Sequence, residues 1–351
     1  MRAERCIVAS FNPSLFIINA FSLDVSDELG SGLSGRVLLG RIQENSTLPR
    51  QLPEFKPPLY AVKLHDERPA PSVKLHQVPR QDRQSVVVRE KCCFQVIDEF
   101  KNTDKEITEL DRIKKTLSSF PSVVVECRIR RLQKRCSSVA PLVWACTGLL
   151  NRHYPYAMTA QPYYEEGTLR NLMKGAAKMS TWQRGLNVLT LLRDVGEALA
   201  YLHQDIAVIH TDVRPANVAV SKKGPDGIPQ KMVLLDLDNA YVFTGSSSTK
   251  PGRPGTEEYQ APECVKSEAC VEASDDWALG AVALSLLTGL HFPKCFAEDV
   301  ARLERSPLAK STLNEVWNGV IDLLEPNPEI RATSADITAE KLGEVTGEKS
   351  K

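Results

Sequence analysis

The sequence predicts an α+β, bilobal chain: a small antiparallel β-sheet lobe with one main helix, followed by a larger, mainly helical lobe. Three observations lead there. The first 150 residues mix short β-branched segments with one long polar helix pattern, whereas the remainder is dominated by helical periodicity. The early strands follow one another with no obvious crossover helix, which favours antiparallel pairing. At 351 residues the chain can also bury a substantial core.

Residues 1–21 read as an N-terminal extension. Their basic start and apolar run are interrupted by Asn12 and Pro13, so they would direct secretion only if residues 1–20 acted as a signal segment despite that break. The first lobe, 22–162, opens with FSLDVSDELG (21–30) and GRVLLGRI (35–42), strand patterns flanking a glycine-rich turn. LYAVKLH (59–65) is a third strand, bounded by the proline-rich LPEFKPP. Segments 43–58 and 66–96 read as insertions. In 97–118, Ile107, Leu110, Ile113 and Leu117 form one apolar stripe on a charged helix able to lie on the sheet.

The second lobe, 163–345, repeats Leu191, Val195, Leu199 and Leu202 on a helical period, and WALGAVALSLLTG (277–289) is apolar nearly all round, as in a buried helix. Segments 221–230 and 244–255, rich in Gly, Ser, Pro and Lys, read as loops, and 346–351 as a flexible tail.

Charge narrows the partners. With 44 Lys+Arg against 44 Asp+Glu, no global field draws the chain to nucleic acid or an anionic membrane. No run of about 18 apolar residues predicts a membrane span. The nine cysteines lack the paired spacing of a zinc site and the density of a disulfide scaffold, so reduced thiols in a cytoplasmic or nuclear setting are expected.

Four motifs carry chemistry. In GSGLSGRV, Gly30, Gly32 and Gly35 precede Val37 on a strand rather than a helix, which favours a glycine hairpin that brings backbone N–H groups close to phosphates over a dinucleotide fingerprint. Lys63 sits in the otherwise apolar YAVKLH; alone it reads as a snorkelling surface lysine, but after a glycine hairpin it can reach nucleotide phosphates. It then needs a carboxylate, for which Glu106 is the best placed, with Glu99 and Glu109 as alternatives. HTDVRPAN supplies what attack by a hydroxyl on a phosphoryl group requires: Asp212 to orient and accept from the hydroxyl, Arg214 to face the phosphate, Asn217 to ligate Mg2+. VLLDLDNA ends an apolar run with two carboxylates, and Asp236 is the primary metal ligand.

In this order the motifs resemble those of the eukaryotic protein kinases across roughly residues 22–345. GSGLSGRV resembles the glycine loop, AVK with Ala61 the strand carrying the nucleotide lysine, HTDVRPAN the catalytic loop, and DLD the metal-binding triplet. GTEEYQAPE (255–263), DDWALG (275–280) and NPEIRAT (327–333) are similar to the end of the activation segment, the central buried helix and the late arginine motif. The resemblance implies an ATP- and Mg2+-dependent serine/threonine protein kinase acting on a protein hydroxyl; the alternative is a pseudokinase serving as a scaffold or allosteric partner. It implies that Gly30, Gly32, Gly35, Val37 and Ala61 line the nucleotide and that Lys63 pairs with Glu106. Asp212 would be the base, Asn217 and Asp236 the metal ligands. It also implies a Glu263–Arg331 salt bridge and support of the catalytic-loop backbone by Asp275. Thr256 and Pro215 resemble serine/threonine rather than tyrosine kinases.

Four positions depart from the family pattern. Thr211 stands where an arginine usually precedes the catalytic aspartate, which puts control by phosphorylation at Ser246, Ser247, Ser248 or Thr249 in doubt. Arg214 replaces a lysine, Leu237 an aromatic residue, and Asp238 a glycine; the last adds negative charge and restricts the backbone beside Asp236.

Overall fold

The computed structural model describes residues 5–7, 17–19, 23–32, 35–42, 59–65, 120–132, 134–150, 154–242, 250–251, 255–267, 269–289 and 314–340. The chain divides into two compact units, one formed by 1–131 and 141–163, the other by 132–140 and 164–351.

The first unit holds a five-stranded antiparallel sheet. Its strands are β3 (Leu23–Gly32), β4 (Gly35–Ile42), β5 (Tyr60–His65), β6 (Trp144–Leu150) and β7 (Tyr154–Pro162), in the order β3-β4-β5-β7-β6. A separate pair, β1 (Arg5–Ile7) and β2 (Ile17–Asn19), precedes it. The glycine motif closes a hairpin, with Gly32 opposite Gly35 and Gly30 opposite Val37. β5 is the central strand, and Lys63 on it lies opposite Val37 on one side and Thr159 on the other.

The helix expected over 97–118 falls outside the described residues, as do both insertions. A helix with no clear sequence signal, α1 (Pro121–Arg131), is present among the described residues. Pro121 opens it, where a missing N–H costs nothing. Its buried face carries Ser122, Val123, Val125, Glu126 and Ile129, three or four residues apart.

The second unit is built around two helices. α2 (Leu169–Met173) leads to α3 (Thr181–Ala200), whose start is fixed reciprocally: Gln183 N–H donates to Ser180 Oγ at 3.2 Å and Ser180 N–H to Gln183 Oε1 at 3.0 Å. After α4 (Pro262–Ser267), α5 (Glu272–Thr288) is buried from Ser274 to Leu287, as its all-round apolarity predicts. α3 packs on α5, with α6 (Asn314–Leu323) and α7 (Ser334–Glu340) beside them. Gly280 admits the contact of α5 with α6, since a Cβ there would stand 2.9 Å from Leu323 Cβ.

Short strand pairs decorate the helices. They are β8 (Val208–Ile209) with β11 (Tyr241–Val242), β9 (Val218–Lys223) with β10 (Pro229–Leu234), and β12 (Lys250–Pro251) with β13 (Ala269–Cys270). The segment expected as a loop over 221–230 is therefore a hairpin whose turn is only 224–228, with Ile228 N–H donating to Asp226 Oδ1. The buried Asp194 of α3 holds that hairpin, accepting from Met232 N–H at 2.7 Å and from Lys231 Nζ at 3.2 Å. Segment 132–140 joins the same unit, with Tyr201 Oη donating to the Lys134 carbonyl and Val139 bridging to Leu234.

The expectation of reduced thiols meets a correction. Cys136 is a buried free thiol, but Cys264 and Cys270 are joined as a disulfide, their Cα atoms 4.8 Å apart and so within bridging distance. Among the described residues no helix is long and apolar enough to cross a membrane.

Burial makes the helical core testable. Leu191→Ala, at a fully buried site on α3, should cost about 2–5 kcal/mol in urea unfolding. Trp182→Ala, at a site 53% exposed, should change stability by about 0.5 kcal/mol or less. Equal losses would contradict this placement of the core.

Candidate active site

The polar loop His210–Asn217 is suspended from one carboxylate. Asp275, 1% exposed on the first turn of α5, accepts from His210 N–H and Thr211 N–H, each at 2.7 Å. Its Oδ2 also meets His203 Nε2 at 2.9 Å. Burial is the largest influence on His203 and opposes its charge, but the bond to Asp275, with Asp276 and Glu272 nearby, outweighs it and raises the imidazole pKa.

His210 is fully buried, and its ring braces the loop from within. Nδ1 receives the Asp212 N–H at 3.2 Å, which assigns the proton to Nε2, donated to the Leu235 carbonyl at 2.9 Å. Thr211 adds a bond from Oγ1 to the Asn239 carbonyl at 2.8 Å.

Asp212 is the focus of the loop. It is 7% exposed, and Oδ1 accepts from Thr256 Oγ1 at 2.8 Å while Oδ2 accepts from Asn217 Nδ2 at 3.0 Å. Asn217 Nδ2 also reaches the Asp212 carbonyl at 2.9 Å. Arg214 Nε stands 3.2 Å from Asp212 Oδ2, near enough for charge pairing though not aligned as a hydrogen bond. Pro215 opens the short helical turn that carries Asn217.

Three non-glycine residues among those described have positive φ, Ala207 at 54°, Thr211 at 68° and Asp236 at 60°, and all bracket or belong to this site. For a β-branched residue such as Thr211 this is a costly backbone. Gly255, at φ 88°, makes the close approach possible, because a Cβ there would collide with the Thr211 carbonyl. Asp236 precedes a short turn, Leu237–Asn239, and Asp238 N–H donates to Asp236 Oδ1 at 3.4 Å. Leu237 is buried, the role its aromatic counterpart would fill.

The Glu263–Arg331 pair forms as the motifs imply. Arg331 donates to both Glu263 oxygens, at 2.7 and 3.0 Å, to the Ala273 carbonyl at 2.6 Å and to the Glu325 carbonyl at 2.8 Å, and its guanidinium lies 5.1 Å from the Trp277 ring centroid. Ser274 Oγ donates to the same Glu263 at 2.9 Å. Burial alone would raise the Glu263 pKa, but the fork of Arg331 lowers it below 4.5.

The structure thus brings Asp212, Arg214 and Asn217 together in the second unit, which also holds Asp236. Gly30, Gly32, Gly35, Val37, Ala61 and Lys63 lie on the sheet of the first unit. Glu106, Glu99 and Glu109 lie outside the described residues. The buried carboxylate among the described residues of that first unit is Glu126 on α1, 1% exposed, with Oε2 accepting from Leu142 N–H at 3.3 Å. Its signal was the polar residue amid the apolar face of PSVVVECRI.

Known proteins point to the same family. The family model described as the protein kinase domain matches residues 87–341, beginning after the glycine hairpin and Lys63. The chain is 25% identical over 163 residues to mitogen-activated protein kinase kinase 2 of Arabidopsis thaliana, covering 46% of this chain and 38% of the relative. It is 32% identical over 127 residues to a probable serine/threonine-protein kinase of Dictyostelium discoideum (36% and 23%). To the serine/threonine-protein kinase Sgk3 of Rattus norvegicus it is 31% identical over 145 residues (39% and 27%). The matched part spans well under two thirds of each relative's length.

The lowered Glu263 pKa gives a signed expectation. Its stabilisation is fully present above pH 4.5, the unfolded value, and is lost as pH falls through the lower folded value. The stability gap between the wild type and Glu263→Gln should therefore be wide at neutral pH and narrow below 4.5. A gap independent of pH in chemical denaturation would refute this account of the pair.

Proposed function

The chain belongs to the protein kinase domain family, and from that premise we propose that it is an ATP- and Mg2+-dependent serine/threonine kinase that transfers the γ-phosphoryl group to a protein hydroxyl. One observation carries the reading: the carboxylate of Asp212, held by Asn217, already accepts from a hydroxyl, that of Thr256. A substrate serine or threonine presents the same donor. Asp212 would orient that hydroxyl and take its proton as the oxygen attacks phosphorus, and Arg214 brings cationic charge beside it.

The donors suit magnesium. Asn217 spends its amide nitrogen on Asp212, which leaves its carbonyl oxygen to ligate, and Asp236 supplies a carboxylate. Mg2+ held there would neutralise charge on the phosphate oxygens. Asp275 and His210 keep the loop backbone fixed, so that Asp212 meets its substrate without reorganisation.

In the sheet unit, Lys63 on the central strand would hold the nucleotide phosphates beside the glycine hairpin. Glu126 is the acid we assign to it in place of Glu106, because a buried carboxylate calls for a cation and Glu126 lies on a helix of the same unit. The scaffold alternative rests on Asp238, a second carboxylate two residues from Asp236 whose N–H is turned toward it.

The decisive measurement is label transfer from radioactive ATP to a generic basic protein, with and without Mg2+. Asp212→Asn should cut it by about 10²–10⁴-fold. A silent wild type that gains activity on Asp238→Gly would instead support the scaffold reading. Separately, Lys63→Met and Glu126→Gln should each shrink the thermal shift produced by ATP, and the double variant should lose no more than the larger single loss. Additive losses would show that the two side chains act independently.

A further inference from the structure

Cys264 and Cys270 occupy a position that no part of the phosphotransfer reading uses. They are the ends of a short bridge between α4 and β13, both 2% exposed. Both line a small cavity whose wall also includes Thr211, Asp212, Thr256 and Asp275, and whose volume, about 10 Å3, is roughly that of one water probe.

The bridge is placed to act on the site. Cys270 pairs with Lys250, and Ala269 with Pro251, in a ladder only two residues long. That ladder is the described backbone anchor of the segment leading to Gly255 and Thr256, whose hydroxyl holds Asp212. On its other side Cys264 follows Glu263, tied to Arg331 and Ser274. The polar links hold α4 to α5 in either redox state; the disulfide adds the tie between α4 and β13.

We propose that Cys264 and Cys270 form a reversible redox modification site, closed by a small peroxide, whose disulfide clamps the segment carrying Thr256 against the site. One thiolate attacks a peroxide oxygen, forming an S–O bond as the O–O bond breaks and the first water leaves. The second thiolate attacks that sulfur, the S–S bond forms, and the sulfenic oxygen departs as a second water. Two thiol protons and two electrons thus pass to one hydrogen peroxide, giving two waters. A cavity of this size excludes a bulky disulfide reagent and leaves the smallest peroxide as the oxidant. Reduction leaves two buried thiols, weak donors that pack as small apolar groups, and the two-residue ladder loses its covalent tie.

The bond does not depend on the phosphotransfer reading; only its consequence for Asp212 does. The test therefore reads structure in the full-length chain without nucleotide. Peroxide should remove 2 Da between Cys264 and Cys270, detected by peptide mass spectrometry after alkylation, and dithiothreitol should restore both thiols without global unfolding. Backbone amides of residues 255–260 should exchange at least about tenfold faster in the reduced protein, while those of α3 stay unchanged. Cys264→Ser and Cys270→Ser should each match the reduced protein and ignore peroxide, and Cys136→Ser should respond like the wild type. If a serine variant misfolds, the wild-type reduced and oxidised pair still decides. Thiols that stay unpaired in peroxide, a bond reducible only on unfolding, or equal exchange at 255–260 in both states would overturn the proposal.

Discussion

The carboxylate of Asp275 is the constraint on which the rest of the site depends. A loop that turns through a left-handed threonine cannot satisfy its own backbone donors, and two consecutive N–H groups, those of His210 and Thr211, would be left in the interior. Asp275 takes both, from the first turn of a helix whose N-terminal dipole favours a negative charge. Leaving two such groups unsatisfied would cost on the order of 1–3 kcal/mol each. The all-round apolarity of α5 therefore matters beyond core volume: it fixes the position of the one charge that shapes the loop.

Two further features make that shape specific. Gly255 allows another stretch of backbone to close on the Thr211 carbonyl, so the residue beside it, Thr256, arrives within bonding distance of Asp212. The Glu263–Arg331 fork then fixes the end of the same stretch to α5 through Ser274 and the Ala273 carbonyl. A buried ion pair of this kind adds little net stability against an apolar substitute, but losing one partner strands the other. Its role is positional: it sets where α4 begins, and hence where Thr256 ends.

The parts of this arrangement that were legible in the sequence are those with local signatures. Glycine spacing before a strand gave the hairpin, and the apolar periods of 186–203 and 277–289 gave the two central helices. Asp212 and Asn217 share one local motif, but the bond from Thr256 to Asp212 has no local signature, since it spans 44 residues. α1 has a weak helical signature because Val123, Val124 and Val125 are β-branched and stiff at χ1; tertiary burial of one face overrides that preference. Glu126 was missed with it. The cysteine pair was illegible for another reason: a spacing of six has no meaning until a helix end and a two-residue strand bring the Cα atoms together.

Thr211 shows how a departure from a family pattern is absorbed. An arginine before the catalytic aspartate holds the loop to a neighbouring segment through charge, and so only when that segment carries an anion. Thr211 instead donates a neutral hydroxyl to the Asn239 carbonyl, and β8 pairs with β11 on either side of the same junction, Ile209 opposite Tyr241. The loop that carries Asp212 and the turn that follows Asp236 are thereby joined by bonds that involve no titrating group and are little screened by salt. A link of that kind is made on folding rather than on modification.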